Sequence, residues 1–482
     1  MKKIVVVFLC FFLMAGISYS VYACNNNSDP DSDRSEKNVV PRLAEQNIHR
    51  AMAIVDTTIA RYFSENAMAR YYNPYTNERS EEKGSVWMYT SSIEAVNAIL
   101  HALEMHKERG DAELYQKYFT HYVKVLDKLY KDAAYYEGTF TLTSYTQTKA
   151  WTVYGVDRGQ EKGNARVEGI YNVYDDQQWL VRELLESYKL TGNKNYLEKA
   201  EYLTEYVLDG WDCTLDKDGN ENGGITWGPG YATKHSCSNG PMVSPLVWLH
   251  ELYKNKNDEI TYKYIDKDQV RKTSSMKKSD YYLKFAKAVY KWQKDNLLRN
   301  DGVYADMMGG CDPNCDIAYE TIDGEKYRKH TGLKRPEGRA YSYNCGTMIS
   351  GAADLYHTTS DKVYLEDAKE LSEASFKYFA KLNETVESYY TYSTDGFSNW
   401  FNGVLMRGFV DVYPSYKSVT ESVDSFQRNL DYGYNKYLYR GFLPVDLLKG
   451  WDSNVKNNKV EGMFLFTFAA EYAVLAKYEL VK

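Results

Sequence analysis

The chain has 482 residues, 44% of them hydrophobic and 26% charged, with 47 Tyr and a formal net charge of −7. That mixture belongs to a folded globular chain and excludes a disordered one. An acidic balance without a basic stripe offers phosphates no counter-charge, so duplex nucleic acid and anionic membrane surfaces are set aside as partners. Tyr combines a flat apolar ring with a hydroxyl, a surface suited to stacking on sugar rings, although tyrosines of this kind are as common in cores.

In chain order, Lys2 and Lys3 precede an apolar run from Ile4 to Ile17. That run is shorter than the roughly 20 residues a spanning helix needs, so it predicts an export signal. It ends in Val21-Tyr22-Ala23-Cys24, which resembles a bacterial lipobox. The expectation is a lipoprotein signal peptide over 1–23 with lipidation at Cys24, whose loss of Lys2 and Lys3 takes the charge from −7 to −9. Residues 24–40, with Asn25-Asn26-Asn27 and then Asp29, Asp31 and Asp33, predict a flexible acidic tether. Such a tether resembles those of surface-displayed lipoproteins of Gram-negative bacteria. The location expected is the outer membrane or cell surface, with the periplasmic face as the alternative and the lipid as the sole membrane contact. Beyond Cys24, Cys213, Cys237, Cys311, Cys315 and Cys345 leave at least one thiol unpaired. Cys311 with Cys315, or Cys213 with Cys237, are alternatives that sequence does not separate. Their spacing with His330 fits zinc poorly, so no metal or cofactor is expected.

From residue 41 onward, apolar residues recur at helical spacing, interrupted by a repeated turn: Gly110-Asp111, Gly192-Asn193, Ser279-Asp280 and Ser360-Asp361. Each turn reads as a helix stop followed by an N-cap. The spacing predicts first members of hairpins near 43–66, 112–131, 194–209, 279–298, 361–381 and 419–440. Second members fall near 85–108, 174–190, 238–255, 341–357, 398–413 and 459–479. Twelve helices with almost no β-hairpin signal among them predict an all-α fold, an (α/α)6 toroid of six helical hairpins in a single domain over 41–482. The second set is more apolar and should form the inner ring. In such a ring the inner helices run the same way, so their starts meet at one mouth, walled by long loops at 132–173 and 210–237.

Asp175 and Asp176 stand at one of those starts. Two adjacent carboxylates on one helical turn can lie about 5 Å apart, the separation of a retaining glycosidase, whereas an inverting enzyme needs about 6.5 to 9.5 Å. The helix N-terminus favours an ionised nucleophile, and its charge keeps the neighbour protonated as an acid. The alternative is a helix cap with a dipole-favoured acid beside it. Tyr174, Trp227, Tyr343 and Trp400 are candidate sugar platforms, with Asn239 and Asn344 as hydroxyl partners. The run Asp216 to Asn222 lacks the spacing of a calcium loop and reads as a solvated turn.

The stretch Tyr174-Asp175-Asp176, Trp179, Leu190-Thr191-Gly192 resembles glycoside hydrolase family 76, which includes bacterial endo-α-1,6-mannanases. Gly223-Gly224-Ile225-Thr226-Trp227, Cys237-Ser238-Asn239-Gly240-Pro241, Tyr343-Asn344-Cys345-Gly346 and Phe401-Asn402-Gly403 extend the resemblance over about 45–480. It departs at Gln177 and in longer segments at 258–279 and 311–336. The resemblance implies a retaining endo-acting hydrolase of α-1,6-mannan, with Asp175 as nucleophile, Asp176 as acid/base, a polysaccharide as partner and a monomeric state. The alternatives are a non-catalytic glycan-binding lipoprotein and an unsaturated-uronyl hydrolase, whose anionic substrate would demand basic residues that the helix starts largely lack.

Overall fold

The computed structural model describes residues 40–311, 315–386, 389–394 and 396–482. The signal peptide, Cys24 and the tether up to residue 39 lie outside the described residues. Among the described residues, twelve α-helices alternate in two sets. The first hairpins pair α1 (Arg42–Tyr62) with α2 (Val86–Glu108), α3 (Ala112–Ala133) with α4 (Tyr174–Thr191), and α5 (Lys194–Asp209) with α6 (Val243–Tyr253). The remaining three pair α7 (Lys278–Leu297) with α8 (Ser342–Thr359), α9 (Lys362–Phe379) with α10 (Ser398–Val412), and α11 (Thr420–Tyr437) with α12 (Gly462–Val481). Each even-numbered helix packs on the next, and α12 returns to α2 and α1, which closes the expected (α/α)6 ring.

The inner helices are buried on nearly every face. α12 exposes little from Gly462 to Leu480, and its run Phe464-Leu465-Phe466-Thr467-Phe468 sits wholly inside. Small residues let inner helices approach closely. A Cβ at Gly346 on α8 would meet the Val404 carbonyl oxygen of α10 at 2.5 Å, and one at Gly408 would meet the Gly346 carbonyl at 2.7 Å. Outer helices carry the amphipathic stripe instead, as in α3, where Tyr122, Leu126 and Leu129 are buried at helical spacing.

Two of the repeated turns are built as their sequence suggests. Gly192 (φ 69°) ends α4 in the left-handed region, and the Asn193 side chain accepts from Asn195 N at 3.1 Å to start α5. Ser360 (φ 60°) and Asp361, which accepts from Val363 N at 3.1 Å, repeat the device between α8 and α9. At the first turn Gly110 is left-handed, but Asp111 pairs with His106 in place of capping. The third departs altogether. Ser279 and Asp280 lie inside the first turn of α7, because a β-hairpin joins α6 to α7.

β-Hairpins are the main departure from expectation. Residues Glu137–Thr143 pair antiparallel with Thr148–Tyr154, burying Phe140, Leu142, Trp151 and Val153 while Thr139 and Thr152 link on the outer face at 2.8 Å. Glu259–Ile265 pairs with Arg271–Lys277, and Tyr319–Ile322 with Glu325–Arg328. These strands lie in the connections between helices, where the period-2 signal is only seven residues long at most. Arg328 ties them to the mouth: its amide donates to Ser144 O at 2.8 Å and its guanidinium to Pro229 O at 3.3 Å and to Tyr231 O. Replacing the α9 cap, Asp361→Ala, should cost about 1 kcal/mol in urea unfolding and leave the site geometry, and therefore turnover, unchanged.

Candidate active site

The starts of the inner helices meet. Trp87 on α2 lies 5.5 Å from Trp400 on α10, Trp179 on α4 lies 4.7 Å from Trp400, and Tyr343 on α8 stacks on Phe401 at 4.2 Å. Asp175 and Asp176 sit among these rings in the first turn of α4, at 2% and 1% exposure. Neither is the cap: the N-cap is Val173, extended at φ −127° and without a side-chain bond. A capping role therefore does not account for the pair.

The two carboxyls differ in their surroundings. Burial raises Asp175 to about 7, and the neighbouring Cys237 thiol, the amides of Asp175 and Asp176 and the Trp227 indole N–H pull it back down. Burial raises Asp176 well above its ordinary value, and the Asp175 charge raises it further. Only the Trp87 indole N–H, donated to Asp176 Oδ1, opposes this. The pair thus ionises at Asp175 first, leaving Asp176 protonated beside it. One oxygen of each, Asp175 Oδ1 and Asp176 Oδ2, is buried without a hydrogen-bond partner, and the Trp227 indole N–H lies near Asp175 without closing a hydrogen bond to it. Unpartnered polar atoms of this kind are what an incoming sugar hydroxyl or glycosidic oxygen satisfies.

Three walls hold the dyad in place. The Tyr174 amide donates to Trp227 O at 2.7 Å, tying the 210–237 loop to the start of α4. Gln177 bonds Tyr154 twice, accepting from its N at 3.0 Å and donating to its O at 2.7 Å, as a neighbouring strand would. Gln178 donates to Ser238 O at 2.6 Å. Gln177, the departure from the pattern the resemblance implies, is therefore the staple between the β-hairpin wall and α4, the helix that carries the two aspartates.

Of the six candidate substrate residues, four face the mouth or its base. Trp227 lies near Asp175 and stacks on His235 at 4.9 Å. Tyr343 adjoins Cys237 and Asp175. Trp400 donates to Glu94 Oε2 at 3.1 Å and forms the base of the mouth. Asn344 is fully buried with both amide atoms unpartnered. The other two are spent on the fold. Tyr174 is 1% exposed, packed on Tyr206 at 5.0 Å and against Gly210, so its face is closed to a sugar. Asn239 accepts from Ile225 N at 2.8 Å and donates to Ile225 O and His235 O, which leaves its amide nothing for a ligand.

Three residues at the mouth escaped the sequence analysis. Tyr231, half-buried, lies 4.5 Å from Trp227 and senses the Asp175 charge. It was marked only by a Gly-Pro-Gly loop. Asp306 is a third carboxyl facing Cys237 and Tyr343, raised by burial to about 6 against the pull of Arg339. It follows no helical or strand pattern. His235 is held neutral, its pKa lowered by burial to about 4. Cys311 and Cys315 form a disulfide, while Cys213, Cys237 and Cys345 are buried free thiols. Asp216 is a solvated turn whose Oδ1 accepts from Asp218 N and Asn220 N, both at 2.9 Å. No cluster of metal-ligating side chains occurs among the described residues.

A model of glycosyl hydrolase family 76 matches residues 132–259 and 273–431, which is more than half of the chain. The chain belongs to glycosyl hydrolase family 76. It is therefore a glycoside hydrolase, and its fold is shared by solved members of the family. The mannosidase Bt3792 from Bacteroides thetaiotaomicron superposes with a TM-score of 0.65 at 20% identity, over 89% of this chain and 98% of that one. A family 76 hydrolase from a bovine strain of the same species gives 0.64 at 21%, over 90% and 78%. The α-1,6-mannanase of Salegentibacter sp. HEL1_6 gives 0.58 at 19%, over 90% and 99%. An inactive variant of that mannanase, with two successive aspartates replaced by asparagine, was solved with α-1,6-mannotriose. No curated protein matches the chain.

The dyad carries a stability consequence. The unfolded chain loses the Asp176 proton near 3.8, whereas the native state keeps it to a much higher pH. Its contribution is therefore fully present below the unfolded value and is lost as pH rises toward the folded one. Asp176→Asn should melt higher than the parent at pH 8, with the gap closing by pH 4; calorimetry across that range checks it.

Proposed function

We propose that this family 76 hydrolase cleaves the α-1,6-linked backbone of mannan internally and with retention, with Asp175 as nucleophile and Asp176 as acid/base. The observation that carries this is a pair of adjacent buried carboxyls of unequal proton affinity in an aromatic-lined mouth. Asp176 gives its proton to the glycosidic oxygen while ionised Asp175 bonds to the anomeric carbon and the leaving sugar departs. Asp176, now a carboxylate, takes a proton from water, whose oxygen displaces Asp175 and frees the sugar. The Cys237 thiol and Trp227 N–H steady the charge that returns to Asp175. Substrate identity is supported by the α-1,6-mannotriose bound to the Salegentibacter enzyme.

The first-formed product, followed by NMR on debranched mannan, should have the α configuration. An inverted first product overturns the mechanism. Asp175→Ala and Asp176→Ala should each lower turnover by orders of magnitude. With an activated leaving group, azide should rescue Asp176→Ala alone, giving a product of retained configuration.

We further propose that Cys24 is acylated and suspends the hydrolase at the cell surface, a reading supported by Val21-Tyr22-Ala23-Cys24 and the polar segment after it. Radiolabelled palmitate should enter the parent and not Cys24→Ala; equal labelling of both refutes the anchor.

A further inference from the structure

The hairpin of Glu259–Ile265 and Arg271–Lys277 takes no part in the chemistry above, and residues 260–272 fall between the two stretches that match family 76. Ile260 and Ile265, both buried, seat it, and its Tyr262 ring lies 5.4 Å from that of Tyr281 on α7. We infer that Arg271, at the tip of this added hairpin, is a positioning residue that acts through the wall of the mouth on Trp227 and Tyr231 beside Asp175. The inference rests on the reading of Asp175 as one of the reacting pair, but every contact that carries it lies outside that pair.

The tip holds Arg271 in one place. Asp266 Oδ1 accepts from Asp268 N at 3.0 Å and from Val270 N at 2.9 Å, and Gln269 adopts the left-handed conformation, φ 62°, that closes the turn. From there the Arg271 side chain, 11% exposed, touches both other hairpins at once. Nε donates to Tyr145 O at 3.3 Å, in the turn between Glu137–Thr143 and Thr148–Tyr154. Nη2 donates to Glu320 Oε1 at 3.0 Å, and the guanidinium carbon lies 4.5 Å from the centre of the Tyr327 ring. Two acceptors and a ring face suit a flat guanidinium, whereas the point charge of a lysine serves one of them.

The hairpin of Tyr319–Ile322 and Glu325–Arg328 carries the contact onward. Glu320 and Tyr327 lie opposite one another in its register, so they share the face that Arg271 covers. Arg328, the next residue along, belongs to the other face, where its guanidinium donates to Pro229 O and Tyr231 O. Its amide donates to Ser144 O at 2.8 Å, one residue from the carbonyl that Arg271 takes. The loop that Arg328 grips, Gly228-Pro229-Gly230-Tyr231, follows Trp227 directly, and the Tyr231 ring lies 4.5 Å from the Trp227 ring. Trp227 is in turn the residue whose indole N–H lies near Asp175. Without Arg271 the two wall hairpins lose their common clamp, and a loop with two glycines beside the dyad loses the fixed strand behind it.

The test reads Trp227 and turnover separately. The full-length protein is labelled with 5-fluorotryptophan, and the Trp227 and Trp451 fluorine lines are assigned with Trp227→Phe and Trp451→Phe. Arg271→Ala should shift or broaden the Trp227 line and leave that of Trp451, in the connection between α11 and α12, in place. Glu320→Ala should move the Trp227 line the same way and the double variant no further, because the two side chains form one contact. On soluble mannan Arg271→Ala should raise KM about fivefold and change kcat less than about twofold, since Gln177 and Gln178 still hold α4. If Arg271→Ala does not fold, Arg271→Lys, which keeps a charge for Glu320 without the bond to Tyr145 O, should give the same shift in smaller measure. A Trp227 line unmoved in a folded Arg271 variant overturns the positioning role, even where the melting temperature falls or mannan is cleaved. A moved line with KM unchanged overturns it as well. A line that moves while the parent cleaves no mannan keeps the link to Trp227 and removes the mannan reading.

Discussion

Two carboxyl groups placed side by side in a water-poor mouth cannot both be charged. Burial raises each, and the charge of the first to ionise raises the other further. The division of labour we propose between nucleophile and acid follows from this repulsion together with a small asymmetry of donors. Asp175 has a thiol, an indole and helix amides nearby, whereas Asp176 has the single indole of Trp87. Everything else at the mouth, from the stapling amides of Gln177 and Gln178 to the ring of aromatics, keeps that arrangement dry and fixed.

The barrel interior beneath the mouth handles charge differently. Arg407 and Trp400 both donate to Glu94, Arg182 donates to Glu183, and Asn97 Nδ2 donates to Glu183 Oε2 at 2.8 Å. Asn97 in turn accepts from Ser187 at 3.0 Å. These buried charges are paired, so breaking one partner would strand the other at considerable cost. At the dyad the charges are like and unpaired by protein, and compensation is left to the substrate. Glu471 on α12 is an exception in the interior, a buried carboxyl that burial and the neighbouring Glu94 charge hold well above its ordinary value.

The ring of hairpins was legible because long amphipathic and apolar helices repeat their period over many residues, and because Gly192-Asn193 and Ser360-Asp361 combine a stop with a cap. Ser279-Asp280 carries the same letters without the same role, since a β-hairpin of short strands precedes it and supplies the turn. The dyad was legible because both acids sit on one helix start. Tyr174 and Asn239 were misread for a common reason: adjacency in sequence to a site says nothing of which way a side chain points. The Tyr174 ring turns under Gly210, and the Asn239 amide turns back onto Ile225 and His235. Tyr231 and Asp306 arrive from irregular loops, where no periodicity marks a position as facing the cleft.

The ring is closed by its last element. Gly462–Val481 packs against both the first and second helices of the chain, and Arg50 near the start bonds Asp431 and packs on Tyr434, 4.3 Å from the ring centre. During synthesis that wedge emerges after the other eleven described helices. Until it does, the inner faces of the opening hairpin lack their α12 neighbour, and the apolar surface it covers stays open. The order of the helices along the chain thus leaves the first hairpin vulnerable until α12 docks and the seam between them is sewn.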